Sequence, residues 1–153
     1  MSYVRKVLQP DENLLCTAKI HAFIYLRGFL ILVVAGVIAV GSQFAPPEYL
    51  QPILAAAGIF ALVGLLSLLG AAIRRKATEL AVTDHRVIYK TGILSRHTAE
   101  MNRSKVESVD VEQSIAGRIF GFGTIILRGT GGTFEPIRNI GDPMTFRSFI
   151  TAA

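Results

Sequence analysis

Residues 28–73 read GFLILVVAGVIAVGSQFAPPEYLQPILAAAGIFALVGLLSLLGAAI, and Arg74-Arg75-Lys76 follows directly. Glu48 is the one charged residue in that stretch. Over all 153 residues, 51% are hydrophobic and the mean hydropathy is +0.47, more apolar than soluble domains usually are. The excess is confined to this stretch, and charged residues are frequent on either side of it. The chain therefore divides into an apolar part and a water-compatible part.

The apolar stretch is itself divided by Pro46, Pro47 and Pro52. Proline ends one helix and suits the first turn of the next. The reading is two transmembrane helices, over 28–44 and 53–73, joined by a short link over 45–52. The first helix would measure about 25 Å against a hydrocarbon core of about 30 Å. Residues 23–26 extend it, and Arg27 can snorkel to the headgroups as an interfacial anchor. So short a link makes the helices antiparallel neighbours. Tyr49 fits an interfacial aromatic. Ala35 with Ala39, and Ala57 with Ala61, would let the backbones approach closely.

Orientation follows from the basic residues. Arg5, Lys6, Lys19 and Arg27 precede the pair, Arg74, Arg75 and Lys76 follow it, and the link holds none. The positive-inside rule puts both termini in the cytoplasm. Residues 1–27 form a long polar lead with Asp11 and Glu12, and no small-x-small site follows the first apolar helix, so a cleaved signal is not expected. Arg27, Arg74, Arg75 and Lys76 are the candidate membrane-interface residues.

Beyond Lys76 the pattern changes to short β-type runs with turn signals between them. Strands are expected over 78–83, 86–91, 96–102, 105–113, 123–128 and 133–140. Asp84-His85 and residues 129–132 supply turns. Residues 114–120 read as a short irregular or single-turn helical segment, and Phe120 and Phe122 as core or edge packing. A last helix over 144–152 has Asp142 as N-cap and Pro143 in its first turn. Residues 12–21 (ENLLCTAKIH) are too polar to span and have β character, so they are expected to pair with the later strands. The expected organisation is an N-terminal segment with a first strand (1–27), a helical hairpin (28–73) and the main body of a mainly-β domain (74–153).

The formal net charge of +5 raises the question of nucleic acid. The basic residues lie interleaved with acidic ones, as around Asp84-His85-Arg86 and over 107–112, which argues against it. Arg86, Arg96, Arg103, Arg118, Arg128 and Arg138 read as a solvated face with acidic partners, with a shared face contacting a protein or lipid as the alternative. Cys16 is the only cysteine, so no intrachain disulfide forms, and it reads as a small apolar residue in a buried strand. His21, His85 and His97 have no metal-site spacing. No G-x-S-x-G elbow frames a nucleophile. The glycine-rich 129–132 turn lacks a lysine and a following helix, so it reads as a hairpin turn and not as a phosphate cradle.

TDHRVI at 83–88, EMNRSKVESV at 100–109, QSIAGRIFGFGT at 113–124 and IRNIGDP at 137–143 together resemble the bacterial pleckstrin-homology-like (PH-like) membrane proteins. The resemblance covers about 12–20 and 78–150. It implies a seven-stranded, strongly bent β barrel or sandwich closed by a C-terminal helix, set in the bacterial inner membrane. It carries over no catalytic residue, cofactor or metal. The basic phosphoinositide signature of some eukaryotic relatives has no counterpart in 12–21, where Lys19 alone is basic. The expected function is a non-catalytic, membrane-tethered binding module docking on another membrane protein or complex. Recognition of anionic phospholipid headgroups at the inner leaflet is the alternative.

Overall fold

The computed structural model describes residues 4, 7–92, 97–130, 132–133 and 136–152. The expectations that fall on Arg5, Lys6, Arg96, Gly131, Phe134 and Glu135 lie outside these residues. The chain forms two compact units, Met1–His21 with Arg74–Ala153, and Ala22–Ile73.

The helical unit starts with a 3-10 turn at Ala22–Tyr25, continues as helix α1 (Leu26–Gly41), and ends that arm in a second 3-10 turn at Ser42–Phe44. Helix α2 spans Pro47–Ala77, its last four residues counting with the other unit. The link is shorter than the 45–52 expected: Pro47 opens α2, and Pro52 lies inside it. Proline is tolerated there because the second turn loses one hydrogen bond at most, while Glu48 in the first turn complements the helix dipole. Both arms are long and apolar enough to cross a membrane.

The buried seam of this unit is built from small residues seven apart. Gly28, Ala35 and Ser42 are buried on α1, and Ala57, Gly64 and Ala71 on α2. The repeat expected from sequence was four, through Ala39 and Ala61, which are only half-buried. Seven residues return close to the same helix face after two turns, so every seventh small residue keeps one stripe facing the neighbour. Each glycine receives a leucine. A Cβ on Gly28 would lie 2.8 Å from Leu68 Cγ, and one on Gly64 would lie 2.8 Å from Leu32 Cγ. Gly64→Leu should therefore splay the two helices. A loss of about 2 kcal/mol is expected from overpacking, measurable as reduced crosslinking between cysteines placed at Ala35 and Ala61, which the Gly28–Leu68 and Leu32–Gly64 contacts set opposite one another. Undiminished crosslinking would show that Gly64 does not lie in the packed seam. The outer faces are apolar all round, with Val37, Ile59 and Leu65 at least 60% exposed. Such a surface needs lipid or protein against it.

The second unit holds two sheets. The first runs β1 (Leu14–Ala18), β2 (Glu79–Thr83), β3 (Arg86–Thr91) and β4 (His97–Asn102), antiparallel in that order. The second centres on β6 (Phe122–Gly129). Strand β5 (Val106–Glu112) pairs along one edge of β6. Strands β7 (Gly132–Thr133) and β8 (Ile137–Gly141) follow one another along the other. Of the strand expected over 133–140, the described residues form β7 and β8. A short 3-10 turn, Arg103–Lys105, links the sheets. Helix α3 (Ile115–Phe120) leads into β6, and helix α4 (Pro143–Thr151) closes the unit. Asp142 caps α4, accepting from the Thr145 N–H at 3.4 Å.

The core lies between the sheets and α4. Leu80, Val82 and Val87 come from the first sheet, Ile125, Leu127, Ile137 and Ile140 from the second, and Phe146 and Ile150 from α4. Alternation in β2, β3 and β6 places these side chains inward. Cys16 is half-buried against this core, and burial raises its thiol above the usual range.

The registers also give the unit two distinct ends. Ala18 pairs with Leu80, Ile20 bridges to Ile140, and Gly141 pairs with Phe122. His21, α3 and the start of β2 therefore share one end. Leu14 pairs with Thr83, the Arg103 N–H donates to His85 O at 2.9 Å, and the Thr130 N–H donates to Lys105 O at 3.3 Å. The Asp84-His85 turn, the 3-10 turn and the end of β6 share the other.

Candidate functional site

Three surface features stand out from the packed frame. The first is a polar cluster around Arg86. Its Nε donates to Glu12 Oε1 at 2.9 Å and its Nη2 to Glu12 Oε2 at 2.8 Å, a bidentate pair. Nη1 donates to Glu100 Oε2 at 2.8 Å, and Nη2 also to Val7 O at 3.0 Å. Thr83 Oγ1 donates to Glu12 Oε1 at 2.7 Å and accepts from the Arg86 N–H at 2.9 Å. The Glu12 and Arg86 side chains are 3% and 15% exposed. Burial pushes the Glu12 carboxyl up, but hydrogen bonds from Arg86, Thr83 and the Gln9 N–H outweigh it and hold it below the usual range. Arg86 is pushed up by the same pairing. The cluster is a clasp between the segment before β1 and the β2–β3 turn.

Asp84 extends that clasp. The Asn13 N–H and Nδ2 donate to its two carboxylate oxygens at 3.1 and 3.2 Å, and His85 Nδ1 lies 2.7 Å from Oδ1. The His85 contact is the main cause holding Asp84 below the usual range. The Asp–His pair is thus a turn device. His21 stacks on Phe122 with ring centroids 5.5 Å apart, and His97 is exposed at the start of β4. Among the described residues no three His, Cys, Asp or Glu side chains gather as metal ligands.

The second feature is a groove of about 400 Å³ between β5 and α4. Residues 106–110 of β5 form one wall, Arg147, Ile150 and Thr151 the other, and Arg103 closes one end. Arg103 was expected to face an acidic partner. It instead donates to the carbonyls of Ile150 and Ala152, closing the C-terminus of α4. Arg128 does meet an acid, Asp110, at 3.2 Å. Strand β5 pairs with β6 alone, so among the described residues its groove edge carries no strand. The sequence marked β5 as a strand but gave no sign that it would be an edge, because edges are set by the order of pairing.

The third feature is the QSIAGRIFGFG stretch. Gln113 Nε2 donates to Phe122 O at 3.1 Å, fastening α3 to β6. Ser114 caps α3, its Oγ accepting from the Gly117 N–H at 3.1 Å. Gly117 is buried, and a Cβ there would lie 2.5 Å from Phe122 O. Gly121 ends the helix at φ 73°, a conformation glycine adopts freely. Phe122 is buried as expected, but Phe120 is 57% exposed.

The basic candidates fall on helices. Arg27 is exposed in the first turn of α1, and Arg74, Arg75 and Lys76 are exposed in the last turn of α2. A family model described as "Bacterial PH domain" matches residues 21–153. No curated protein and no solved structure matches the chain.

Proposed function

From the premise that the chain belongs to the bacterial PH domain family, we propose that it is a non-catalytic binding module tethered to the membrane, docking on another membrane protein. In this reading α1 and α2 cross the bacterial inner membrane as two passes and both termini are cytoplasmic. The apolar outer faces of the helices and the basic residues Arg27, Arg74, Arg75 and Lys76, set against Glu48 in the link, support that topology.

The observation that carries the docking reading is the edge of β5 beside the groove, which carries no strand among the described residues. An extended segment of a partner can add to that edge by backbone hydrogen bonding while its side chains rest against α4. Glu107 and Arg147 offer both signs of charge along it, which suits a polypeptide. Arg147→Glu should leave folding intact, because the side chain is exposed, yet abolish capture of the partner in mild-detergent pull-downs with crosslinking. Recovery of the monomer alone from the native chain, or unchanged capture by Arg147→Glu, would sink the reading.

Recognition of anionic headgroups is the second reading, supported by Arg74, Arg75 and Lys76 at the helix end. Attraction of about 1 kcal/mol per basic residue is general membrane electrostatics. Headgroup selectivity at equal surface charge, lost when the three become glutamine, would favour it over protein docking.

A further inference from the structure

We propose that α3 is a membrane-interfacial element, with Ile115 and Ile119 inserted at the headgroup–acyl boundary of the bilayer and Arg118 placed among lipid phosphates. The inference rests on the membrane tethering proposed above and goes beyond it.

Ile115 is 82% exposed and Ile119 is 72% exposed, beyond any other large apolar side chain among the described residues of this unit. At about 3.6 residues per turn both project opposite to Gly117, the position through which α3 is pressed onto Phe122. Fraying does not explain their exposure. The Ser114 cap, the Gln113 amide, the tight Gly117 contact and the Gly121 terminus all hold this one turn with its isoleucines outward. A rigid turn that displays two isoleucines to water is costly unless something apolar covers them.

The covalent path says what covers them. The chain leaves this unit at His21 and returns at Arg74. His21 stacks on Phe122, and its N–H donates to Asn139 O at 2.6 Å. Phe122 is the residue just beyond α3 and Gly121. On the return, the Thr78 N–H donates to Arg74 O at 3.1 Å, and Leu80 pairs with Ala18. Both connections to the apolar helices therefore leave from the end that displays Ile115 and Ile119. Lys19, Arg118, Arg74, Arg75 and Lys76 give that end a basic excess over Glu79, Glu112 and Asp142, of which Glu79 lies 4.0 Å from Lys90 and Asp142 caps α4. Apolar tips at an end with a basic excess match an anionic interface.

The chain contains no tryptophan, so single substitutions report without a label. The full-length protein carrying Ile115→Trp, Ile119→Trp, Val37→Trp (on the outer face of α1) or Ser104→Trp (at the opposite end of the unit) would be placed in nanodiscs of phosphatidylethanolamine and phosphatidylglycerol. No other protein is present. Bromine near the glycerol end of the acyl chain should quench tryptophan at 115 and 119 about twofold, as for an apolar face sunk about 5–10 Å into the interface. Aqueous iodide should quench tryptophan at 104 and spare them. Val37→Trp quenched by lipid, with 115 and 119 quenched by iodide, overturns the inference and leaves the tethering intact. Positions 115 and 119 shielded from both quenchers would show a protein cover, a second copy of the chain, and also overturn it. Val37→Trp untouched by brominated lipid would overturn the tethering itself.

Discussion

Arg86→Ala is expected to lower the unfolding free energy of the sheet-bearing unit by about 3 kcal/mol at neutral pH, because it strands a buried carboxylate. Glu12 is almost wholly covered and relies on Arg86 for both of its charged hydrogen bonds. Removing the guanidinium leaves only Thr83 and the Gln9 N–H. It also frees Val7 O and Glu100, so the segment before β1 loses its hold on the β2–β3 turn. Thermal unfolding of the purified protein in detergent would measure the loss. A melting curve indistinguishable from the native one would show that the clasp contributes nothing.

The pH dependence of that clasp has a definite sign. The folded-state pKa of Glu12 is depressed, so its contribution is present above the ordinary glutamate value of about 4.3 and lost as pH falls through the folded value. Native protein should weaken as pH drops below about 4, and Glu12→Gln should flatten that decline. In Arg86→Ala the burial cost on Glu12 is opposed only by the Thr83 hydroxyl and the Gln9 N–H. Its deficit should therefore shrink in acid, where the carboxyl is neutral. Combining Glu12→Gln with Arg86→Met should recover part of the loss, since it removes both charges together.

Gly129→Ala should cost about 3 kcal/mol, at the upper end of overpacking effects. A Cβ at this position falls on the backbone carbonyl oxygen of Lys105 and lies 3.0 Å from Met101 Sδ. The methionine can turn aside, but the carbonyl cannot easily move. It accepts from the Thr130 N–H and belongs to the turn that joins the two sheets. Opening that contact pulls β5 from β6 where Val106 faces Gly129. Loss of the folded unit at a lower denaturant midpoint would be the readout. A change within about 0.5 kcal/mol would mean that the turn is more pliant than its packing indicates.

Much of this architecture was legible because alternation and punctuation are local signals. The β2–β3 hairpin followed from apolar positions on either side of Asp84-His85, and α4 from Asp142-Pro143. Where side-chain roles depend on distant pairing, the sequence was mute. Glu12 and Arg86 look like ordinary surface charges until β1 is laid beside β2. Arg103 gives no hint that it closes α4. The seven-residue repeat of Gly28, Ala35 and Ser42 lies in the sequence beside alanines at four-residue spacing, and only the packing of α1 on α2 selects between them. In α3 the packing residues are the polar and glycine positions and the displayed ones are isoleucines, the reverse of what hydropathy suggests.

The pairing of β1 with β2 also bears on how the protein is made. Asn13 and Asp84, 71 residues apart, close the same edge. The ribosome delivers β1 first, then the long apolar stretch, and only afterwards the strand that β1 needs. During that interval β1 has exposed backbone and no template, and closing so long a loop slows the pairing. The sheet can be completed only once the apolar stretch has been synthesised. Folding of the domain thereby becomes a record that its helices were made in full, and a chain stopped within them is left with an orphan strand for proteolysis to find.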